Sequence, residues 1–403
     1  MSIYRVEDKV NLERMRKERV ERAREQMKKD GIGAYLCFDQ ANIKYLTDTY
    51  STMYPFFNRN VVFPRTGEPI LYEWGSRYVR VRDELAPWLK GNVRVGWRLG
   101  SSLMSGAEPT EFLADLKEVL GEHDVLKEPL AIDMPVGIID FAELFRKAGI
   151  NVIDGASSLK KARMIKTQDE IQCLRISTAI TEEIFDAVRE AIRPGVRESD
   201  LAAIVNDIGM RRGSDGPDEP TVCSGENTYP NMLLYNMRTI RPGDMIFVDL
   251  HMGWRGYHCC VYRCFTCGRA TQRQKELYEA TRSLTYKAIE QVKPGNTTAD
   301  VCNAWPSPEH WGFKTWRECG ENALGHGIGL DVHESPMIMP LFSLKNPVKL
   351  EENMTLAIET YYGSPLPGGY GEGARTEEDL LVTKEGYEIL TKYPVNEITE
   401  AWI

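Results

Sequence analysis

The sequence is short of histidine, of long apolar runs and of positive charge. Its 403 residues include six histidines and carry a formal net charge of −9. A negative balance argues against nucleic acid as a partner, because phosphate binding needs a basic surface. No apolar run approaches the ~20 residues that a membrane-spanning helix requires. The first ten residues, MSIYRVEDKV, lack the apolar segment of a secretory signal. We therefore expect neither a nucleic acid nor a membrane as a partner.

The nine cysteines are odd in number and follow no disulfide-framework spacing. This pattern favours reduced thiols in a reducing compartment, so the expected location is the cytoplasm. A hydrophobic content of 42% and a charged content of 27% are ordinary for a globular protein. The length allows a large core and suggests two domains.

The order of apolar runs predicts two domains of different class. A charged helix ending at Gly31 is followed by strand-like runs that alternate with helices, which indicates an α/β domain. Near residue 162 the pattern changes, and Asp169 and Glu170 begin a long amphipathic helix. We assign residues 1–162 to the α/β domain. Residues 163–403, whose strands are grouped, are assigned to an α+β domain.

Three carboxylates coincide with apolar strand patterns in the second half of the chain. Asp249 lies in MIFVDL, Glu359 lies in MTLAIETYY, and Glu377 lies at the mouth of the strand predicted from GARTEEDLLV. A carboxylate in an apolar strand is costly unless it is paired or bound to a metal ion. Each could singly be an exposed strand end. The three together indicate a site.

Two of the six histidines occur in one glycine-rich stretch, GHGIGLDVHESP, at positions 326 and 333. Glycine beside His326 allows the backbone to approach another group closely. An imidazole together with three carboxylates forms a donor set suited to Mn, Co, Fe or Zn. The sequence therefore predicts a metal or substrate site built from Asp249, His326, Glu359 and Glu377.

In this order the motifs resemble the creatinase, prolidase and methionine aminopeptidase superfamily (peptidase family M24), whose catalytic domain has the pita-bread fold. The stretch KKARMIKTQDEIQCLR resembles the junction between that domain and the family's N-terminal α/β domain. The resemblance implies a homodimer, with the partner's N-terminal domain near the active site. It also implies that four residues occupy four of the five metal-ligand positions of the peptidases: Asp249, His326, Glu359 and Glu377. His333 matches the histidine that hydrogen-bonds substrate in these enzymes.

Two positions depart from the peptidase pattern. The fifth ligand of the family is an aspartate in a strand hairpin, and the matching hairpin GYHCCVYR has Cys260 at that position. In SGENTYPN, Asn231 stands where the peptidases usually carry a histidine. Three interpretations of Cys260 stay open. The thiolate could bind a soft metal such as zinc, the site could hold a single ion without it, or the site could be metal-free.

A metal-free site would resemble the sites of creatinase and the ectoine hydrolases. The ectoine hydrolases have a similar YHC in this hairpin, which makes His258 or Cys259 a possible substrate contact. Asn231 and Arg375 are the other expected substrate contacts. The site thus has two sets of expected residues, one around the metal or the reacting bond and one around the substrate.

The expected function is metal-assisted hydrolysis of a C–N bond in a small peptide-like or zwitterionic substrate, as in Xaa-Pro peptidases or creatinase. Glu359 or Glu377 would carry the proton, and His333 would stabilise the oxyanion. The ion would be divalent, with one or two bound, although a metal-free site is an alternative. One alternative function is a lyase acting on a small sulfonium or betaine, because the N-terminal stretch and EDLLVTKEGYEILTKYP are similar to the dimethylsulfoniopropionate lyase branch. A further alternative is a non-catalytic peptide-binding protein.

Three tryptophans, at positions 305, 311 and 316, are concentrated in AWPSPEHWGFKTWREC. One hypothesis is an aromatic box that holds a quaternary ammonium or sulfonium group by cation–π attraction. The alternative is that the indole rings pack a domain or dimer interface.

Overall fold

The computed structural model describes residues 9–50, 59–73, 75–96, 108–133, 144–216, 218–231, 234–365 and 371–403, without the side chains of 108–110 and 365. These residues form two compact units. One comprises Asn11–Arg163, and the other comprises Met164–Ile403 together with the described residues before Asn11. Within these ranges no helix combines the length and the apolarity that crossing a bilayer requires.

The N-terminal unit is an α/β structure around a six-stranded mixed sheet with strand order β4-β3-β2-β1-β5-β6. Its strands are β1 Ala34–Cys37, β2 Asn60–Pro64, β3 Ile70–Glu73, β4 Val93–Val95, β5 Leu130–Ile132 and β6 Val152–Asp154. Its helices are α1 Leu12–Asp30, α2 Gln40–Thr47, α3 Ser76–Leu85, α4 Glu108–Glu122 and α5 Ser158–Met164. Strands alternate with helices, as predicted, and apolar side chains of the sheet and α4 form one core.

The first helix has caps at both ends. The side chain of Asn11 accepts a hydrogen bond from the backbone N–H of Arg14 at 2.9 Å, which satisfies one free donor of the first turn. At the other end Gly31 has φ of 69°, a left-handed conformation that glycine adopts without strain. The predicted end of this helix is thereby confirmed.

A buried charge cluster joins α1 to α2. The carboxylate of Asp48 lies 3.2 Å from Arg16 Nη1, 3.1 Å from Arg19 Nη2 and 3.0 Å from Lys44 Nζ. Burial alone would raise the pKa of Asp48, but the charges of Arg19 and Lys44 outweigh it and lower the pKa to about 2. An unfolded aspartate has a pKa of about 3.9, so the folded state binds the proton more weakly.

We expect Asp48 to stabilise the N-terminal unit by about 2–3 kcal/mol at neutral pH. Because the folded pKa is depressed, this contribution is present above pH 4 and is lost as the pH falls towards 2. The denaturation midpoint of Asp48→Asn should therefore lie below that of the wild type at pH 7, and the gap should narrow between pH 4 and 2. Urea titrations across this range measure the effect, with the exposed Glu13→Gln as control. A gap that stays constant with pH would contradict the assignment.

The C-terminal unit contains two sheets and a small hairpin. The sheets have the orders β17-β11-β8-β7 and β13-β12-β14-β15-β16, and β9 pairs with β10. The strands are β7 Thr221–Ser224, β8 Met245–Leu250, β9 Gly253–Trp254, β10 Tyr257–His258, β11 Val261–Cys267, β12 Ala323–Gly327, β13 Glu334–Ile338, β14 Thr355–Pro365, β15 Gly371–Val382, β16 Tyr387–Ile389 and β17 Thr399–Ala401. The helices are α6 Gln168–Ala191, α7 Glu198–Arg211, α8 Gln272–Ile289, α9 Thr298–Cys302, α10 Trp316–Cys319 and α11 Pro340–Ser343.

The long helix expected after the boundary is α6, and its start follows from a capping box. Thr167 accepts from the backbone N–H of Glu170, and Glu170 accepts from the backbone N–H of Thr167. The Glu170 side chain also accepts a hydrogen bond from the hydroxyl of Tyr257 at 2.8 Å. The start of the helix is thereby tied to β10, the strand that precedes Cys260.

The long hairpin of β14 and β15 carries two of the predicted site residues. The strands are antiparallel, and Glu359 lies directly opposite Glu377. Our placement of Glu377 at the mouth of its strand is wrong, because β15 begins at Gly371 and pairs with β14 along its length. Alternation along β15 puts Arg375, Glu377 and Asp379 on one face.

The buried Arg263 of β11 joins the two sheets. One guanidinium nitrogen donates to the backbone carbonyl of Glu377 at 2.6 Å, and the other donates to the carboxylate of Glu378 at 2.9 Å. The planar fork of arginine suits two such acceptors at once. Asp249 on the first sheet is therefore held at a fixed position relative to Glu377 on the second.

Candidate active site

Four predicted residues bring their side chains to one buried place. His326 comes from β12, Glu359 from β14, Glu377 from β15 and Asp249 from β8. His326 Nε2 lies 3.9 Å from Glu359 Oε1 and 3.7 Å from Glu377 Oε1. All four residues are at most 3% exposed.

Their ligand atoms meet the geometry of a metal site. One atom each from His326, Glu359 and Glu377 lie within 4.8 Å of one another, as do atoms from Asp249, His251 and Cys260. A third such group contains Cys260, His326 and His333. The three groups share members, so the described residues form one continuous cluster of carboxylate, imidazole and thiol donors.

Several buried polar atoms of this cluster lack hydrogen-bond partners. They are Asp249 Oδ1, His326 Nε2 and both carboxylate oxygens of Glu377. Unpartnered buried polar atoms are costly and need an explanation. Carboxylate oxygens and a neutral imidazole nitrogen are ligands that a divalent cation accepts, so the donor set fits a bound metal ion.

The tautomer of His326 supports the same fit. Its Nδ1 lies 3.0 Å from the carbonyl oxygen of Gly327, which can only accept, so Nδ1 carries the proton. Burial lowers the pKa of His326, which favours the neutral ring. Nε2 then presents a lone pair towards the two glutamates. A neutral imidazole oriented by a backbone carbonyl is the usual form of a metal-binding histidine.

The clustered carboxyl groups bind protons tightly when no cation is near. Burial raises the pKa of Glu359 to about 8, although Arg375 opposes the shift. Burial and the charge of Asp249 raise the pKa of Glu377 to about 8. The cluster therefore holds protons near neutral pH that a divalent cation would displace.

Arg375 connects the cluster to the neighbouring cavity. Its Nε donates to Glu359 Oε2 at 2.6 Å, and its guanidinium lies 4.5 Å from the centre of the Tyr262 ring. Arg375 and Asn231 line a cavity of about 260 Å³. Both predicted substrate contacts thus face a space next to the metal-ligand cluster.

The other two predicted substrate contacts lie elsewhere. Cys259 is fully buried, and its sulfur lies 3.0 Å from the hydroxyl of Thr181 on α6. His258 Nδ1 lies 2.9 Å from the backbone carbonyl of His251. Neither His258 nor Cys259 belongs to the donor groups found among the described residues.

Cys260 lies inside the cluster, in contrast to its neighbour. It is 2% exposed, and its backbone N–H lies 3.4 Å from both carboxylate oxygens of Asp379. Burial and the charge of Glu377 raise the pKa of the Cys260 thiol well above its usual range. Without a cation the thiol is therefore protonated, and it carries none of the negative charge that an aspartate there would bring.

His251 is a site residue that the sequence interpretation missed. Its Nε2 lies 2.8 Å from Asp249 Oδ2, and its Nδ1 lies 3.4 Å from Asp218 Oδ1. Burial alone would lower the pKa of His251, but Asp249 and Asp218 raise it well above its usual value. The sequence contained a signal for His251. Residues two apart in an extended chain share a face, and His251 follows Asp249 by two residues.

His333 is the exposed member of the cluster. The centre of its ring is 4.1 Å from that of His326. Desolvation and the neighbouring His326 lower the pKa of His333, so the ring is neutral at neutral pH. The next residue, Glu334, forms a buried ion pair with Lys166 at 3.0 Å, which fixes the segment that carries His333.

The three tryptophans have different surroundings. Trp305 is buried in the core under β14 and donates to the hydroxyl of Thr360 at 3.0 Å. Trp316 packs against Trp311, with ring centres 6.0 Å apart. Only Trp311 of the three lines the cavity of Arg375 among the described residues. Trp305 and Trp316 therefore pack within the C-terminal unit.

Comparisons with known proteins agree with this architecture. The model described as metallopeptidase family M24 matches residues 172–384, and that of the creatinase/prolidase N-terminal domain matches residues 19–165. A Xaa-Pro dipeptidase of Pyrococcus horikoshii is 30% identical over 263 residues, which cover 64% of this chain and 71% of that protein.

Solved structures extend the similarity over nearly the whole chain. A dipeptidase of Pyrococcus horikoshii aligns with a TM-score of 0.75 and 26% identity, covering 95% of this chain and 99% of that one. A prolidase of Thermococcus sibiricus aligns with a TM-score of 0.76, 25% identity and the same two coverages. The predicted α/β N-terminal domain and pita-bread domain are confirmed. By its matching domains and its relatives, the chain belongs to metallopeptidase family M24.

Proposed function

We propose that the protein hydrolyses a C–N bond in a small peptide-like or zwitterionic substrate with the help of a divalent metal ion. The observation that supports this proposal most strongly is the meeting of buried, unpartnered donor atoms from Asp249, His326 and Glu377 beside Glu359. The relatives named Xaa-Pro dipeptidase make such dipeptides the first substrates to test. Because these relatives are peptidases, they favour hydrolysis over the lyase and over a non-catalytic binder.

One bound ion is the proposed stoichiometry. The ligands would be Asp249, His326, Glu359 and Glu377, with Cys260 a further donor if the metal is soft, and the set suits Mn, Co, Fe or Zn. His251 lies against Asp249 Oδ2, so Asp249 has one oxygen left. Cys260 stands where the resemblance puts a carboxylate shared by two ions, so a second ion would lack that ligand.

The side chains of the site can move the required protons. A divalent ion held there would supply Lewis-acid chemistry for attack of water on a carbonyl carbon. Glu359 or Glu377 would accept the proton of the attacking water and return it to the departing nitrogen. The neutral His333 would donate a hydrogen bond to the oxyanion. Asn231 and Arg375 would contact the substrate from the cavity.

We expect purified protein to contain about one equivalent of a divalent metal and to release free amino acids from Xaa-Pro dipeptides. Elemental mass spectrometry and amino-acid analysis measure the two quantities. Chelation should remove both, and adding Mn, Co or Zn should restore them. Protein that stays metal-free after soaking and hydrolyses no dipeptide would overturn the proposal. Release of dimethyl sulfide from dimethylsulfoniopropionate would favour the lyase.

We also propose that residues 1–162 and 163–403 are the two domains, and that the protein acts as a homodimer in the cytoplasm. The dimer rests on the resemblance to the superfamily, and the location rests on the odd, dispersed cysteines. Light scattering on the eluting protein tests the dimer, and a mass of one chain, 45.9 kDa, would contradict it.

A further inference from the structure

The cavity beside the metal-ligand cluster has an aromatic lining. Its volume of about 260 Å³ is below the roughly 300–1,000 Å³ of pockets for drug-sized ligands, so it fits a small group. Four aromatic residues are among those that line it: Tyr229, Trp311, Phe313 and Tyr361. Arg375 lines it too and bonds directly to Glu359. A ligand group in this cavity is therefore close to the proposed reaction centre.

The polar atoms of two wall residues are already used. Trp311 Nε1 donates to the backbone carbonyl of Tyr361 at 3.0 Å, and the Tyr361 hydroxyl donates to the carbonyl of Thr228 at 2.7 Å. These bonds hold the two side chains in place before a ligand arrives. Such preorganisation reduces the entropy cost of binding. The two residues offer the ligand aromatic surface more than hydrogen-bonding groups.

A further contact holds the Tyr229 ring. A Cβ atom at Gly363 or Gly371 would collide with that ring. Glycine at both positions lets the ring lie directly against the backbone of the β14–β15 hairpin. Three of the four aromatic residues thus have fixed surroundings.

The lining of the cavity includes a carboxylate that a cation could contact. The guanidinium of Arg375 is turned towards Glu359, whose Oε2 lies 2.6 Å from Arg375 Nε. Glu321 also lines the cavity, is exposed, and forms no ion pair with any residue that the structure describes. One unpaired carboxylate and several aromatic rings attract a positive group, because the ring faces carry partial negative charge.

We propose that this cavity selects substrates that carry a methylated, quaternary ammonium group next to the bond that is cut. The inference rests on the proposed C–N hydrolysis and names the substrate class of that site. A primary ammonium needs acceptors for three N–H donors, and aromatic ring faces supply none, so Glu321 and the two asparagines of the lining would have to provide them. A quaternary ammonium needs none and is attracted to aromatic rings.

A pair of isosteric ligands tests the role of charge. Choline and 3,3-dimethylbutan-1-ol have the same shape and the same hydroxyl, and only choline is charged. Calorimetric titration of the metal-loaded protein should give at least about tenfold tighter binding for choline. Ethanolamine, the primary ammonium analogue, should bind more weakly than choline. Equal binding of choline and its neutral isostere would overturn the proposal.

Substitutions at Trp311 test the place of binding. Trp311→Ala should remove most of the preference for choline, whereas Trp311→Phe, which keeps a ring, should retain part of it. Trp402→Ala, at an exposed tryptophan near the end of the chain, is the matched control and should bind as the wild type does. Wild-type affinity for choline in Trp311→Ala would overturn the proposal. If that variant does not fold, Trp311→Phe and the ligand pair still decide the question.

Dipeptide hydrolysis by the same preparations separates this inference from the proposed function. Hydrolysis without any preference for choline would overturn the cavity assignment and leave the peptidase activity standing. A preference for choline that depends on Trp311, without dipeptide hydrolysis, would support the cavity assignment and count against the peptidase.

Discussion

Replacing Glu377 with glutamine is expected to abolish metal binding and to lower dipeptide hydrolysis by on the order of a thousandfold. The amide keeps the size of the side chain but removes a charge that the proposed ion requires. The metal-free variant should nevertheless unfold at a higher temperature than the metal-free wild type. Burial and Asp249 raise the pKa of Glu377 to about 8, which shows that its charged form is unfavourable in the folded protein.

Loss of metal and of activity in Glu377→Gln, together with increased stability of the metal-free protein, would distinguish a metal ligand from a residue that only supports the fold. Elemental analysis, dipeptide assays and calorimetric scans with and without Mn measure the three quantities. Glu388→Gln is the matched control, because Glu388 lies on the adjacent strand β16 and pairs with Arg175 on the protein surface. It should change neither metal content nor activity. A Glu377→Gln protein that keeps a full equivalent of metal would remove this residue from the ligand set.

Replacing Cys260 with aspartate is expected to raise the metal content from about one equivalent to two and to increase dipeptide hydrolysis. The resemblance places the fifth peptidase ligand at this position. Without metal the new carboxylate adds to the unfavourable interaction among Asp249, Glu359 and Glu377, so the metal-free variant should lose about 2–3 kcal/mol of stability. Added Mn should restore more than that loss.

Neutral replacements separate this effect from a general disturbance. Cys260→Ser adds no charge and should keep a stoichiometry of one. Cys259→Ser changes the neighbouring thiol, which lies against Thr181 outside the donor groups, and should leave the metal content unchanged. Two ions in the wild type, or one ion in Cys260→Asp, would show that the residue at this position does not set the number of ions.

The carboxylates of the site could be predicted from the sequence because they interrupt apolar patterns. Asp249 and Glu359 stand among large apolar residues, where an unpaired charge is costly. Their meeting depends on long-range pairing, since β8 and β14 belong to different sheets. Pattern alone does not supply that pairing. The resemblance to a known family supplied it.

Local periodicity held more information than our interpretation used. Asp249 and His251 are two residues apart in extended chain and share a face, whereas the adjacent Cys259 and Cys260 face opposite ways. Counting in twos would have placed His251 on the face of Asp249, and Cys259 on the face opposite to that of Cys260. The placement of Glu377 was wrong for another reason. The strand was predicted from GARTEEDLLV with Glu377 at its mouth, whereas β15 begins at Gly371 and pairs with β14 from there.

The lining of the cavity could not be predicted from sequence. Trp311 reaches it from a short segment before α10, and its ring orientation depends on the carbonyl of Tyr361, fifty residues away in the chain. Three tryptophans of similar sequence context have three different surroundings. Such differences arise from tertiary packing.

The β14–β15 hairpin makes strand register and metal affinity depend on each other. Glu359 faces Glu377 across the two strands, and a shift of one residue would place Thr376 or Glu378 there with its side chain on the opposite face. A misregistered hairpin would therefore lack a ligand. An ion that binds during folding would stabilise the correctly registered hairpin relative to its slipped forms. The metal would then select the native strand register, in addition to serving as a cofactor.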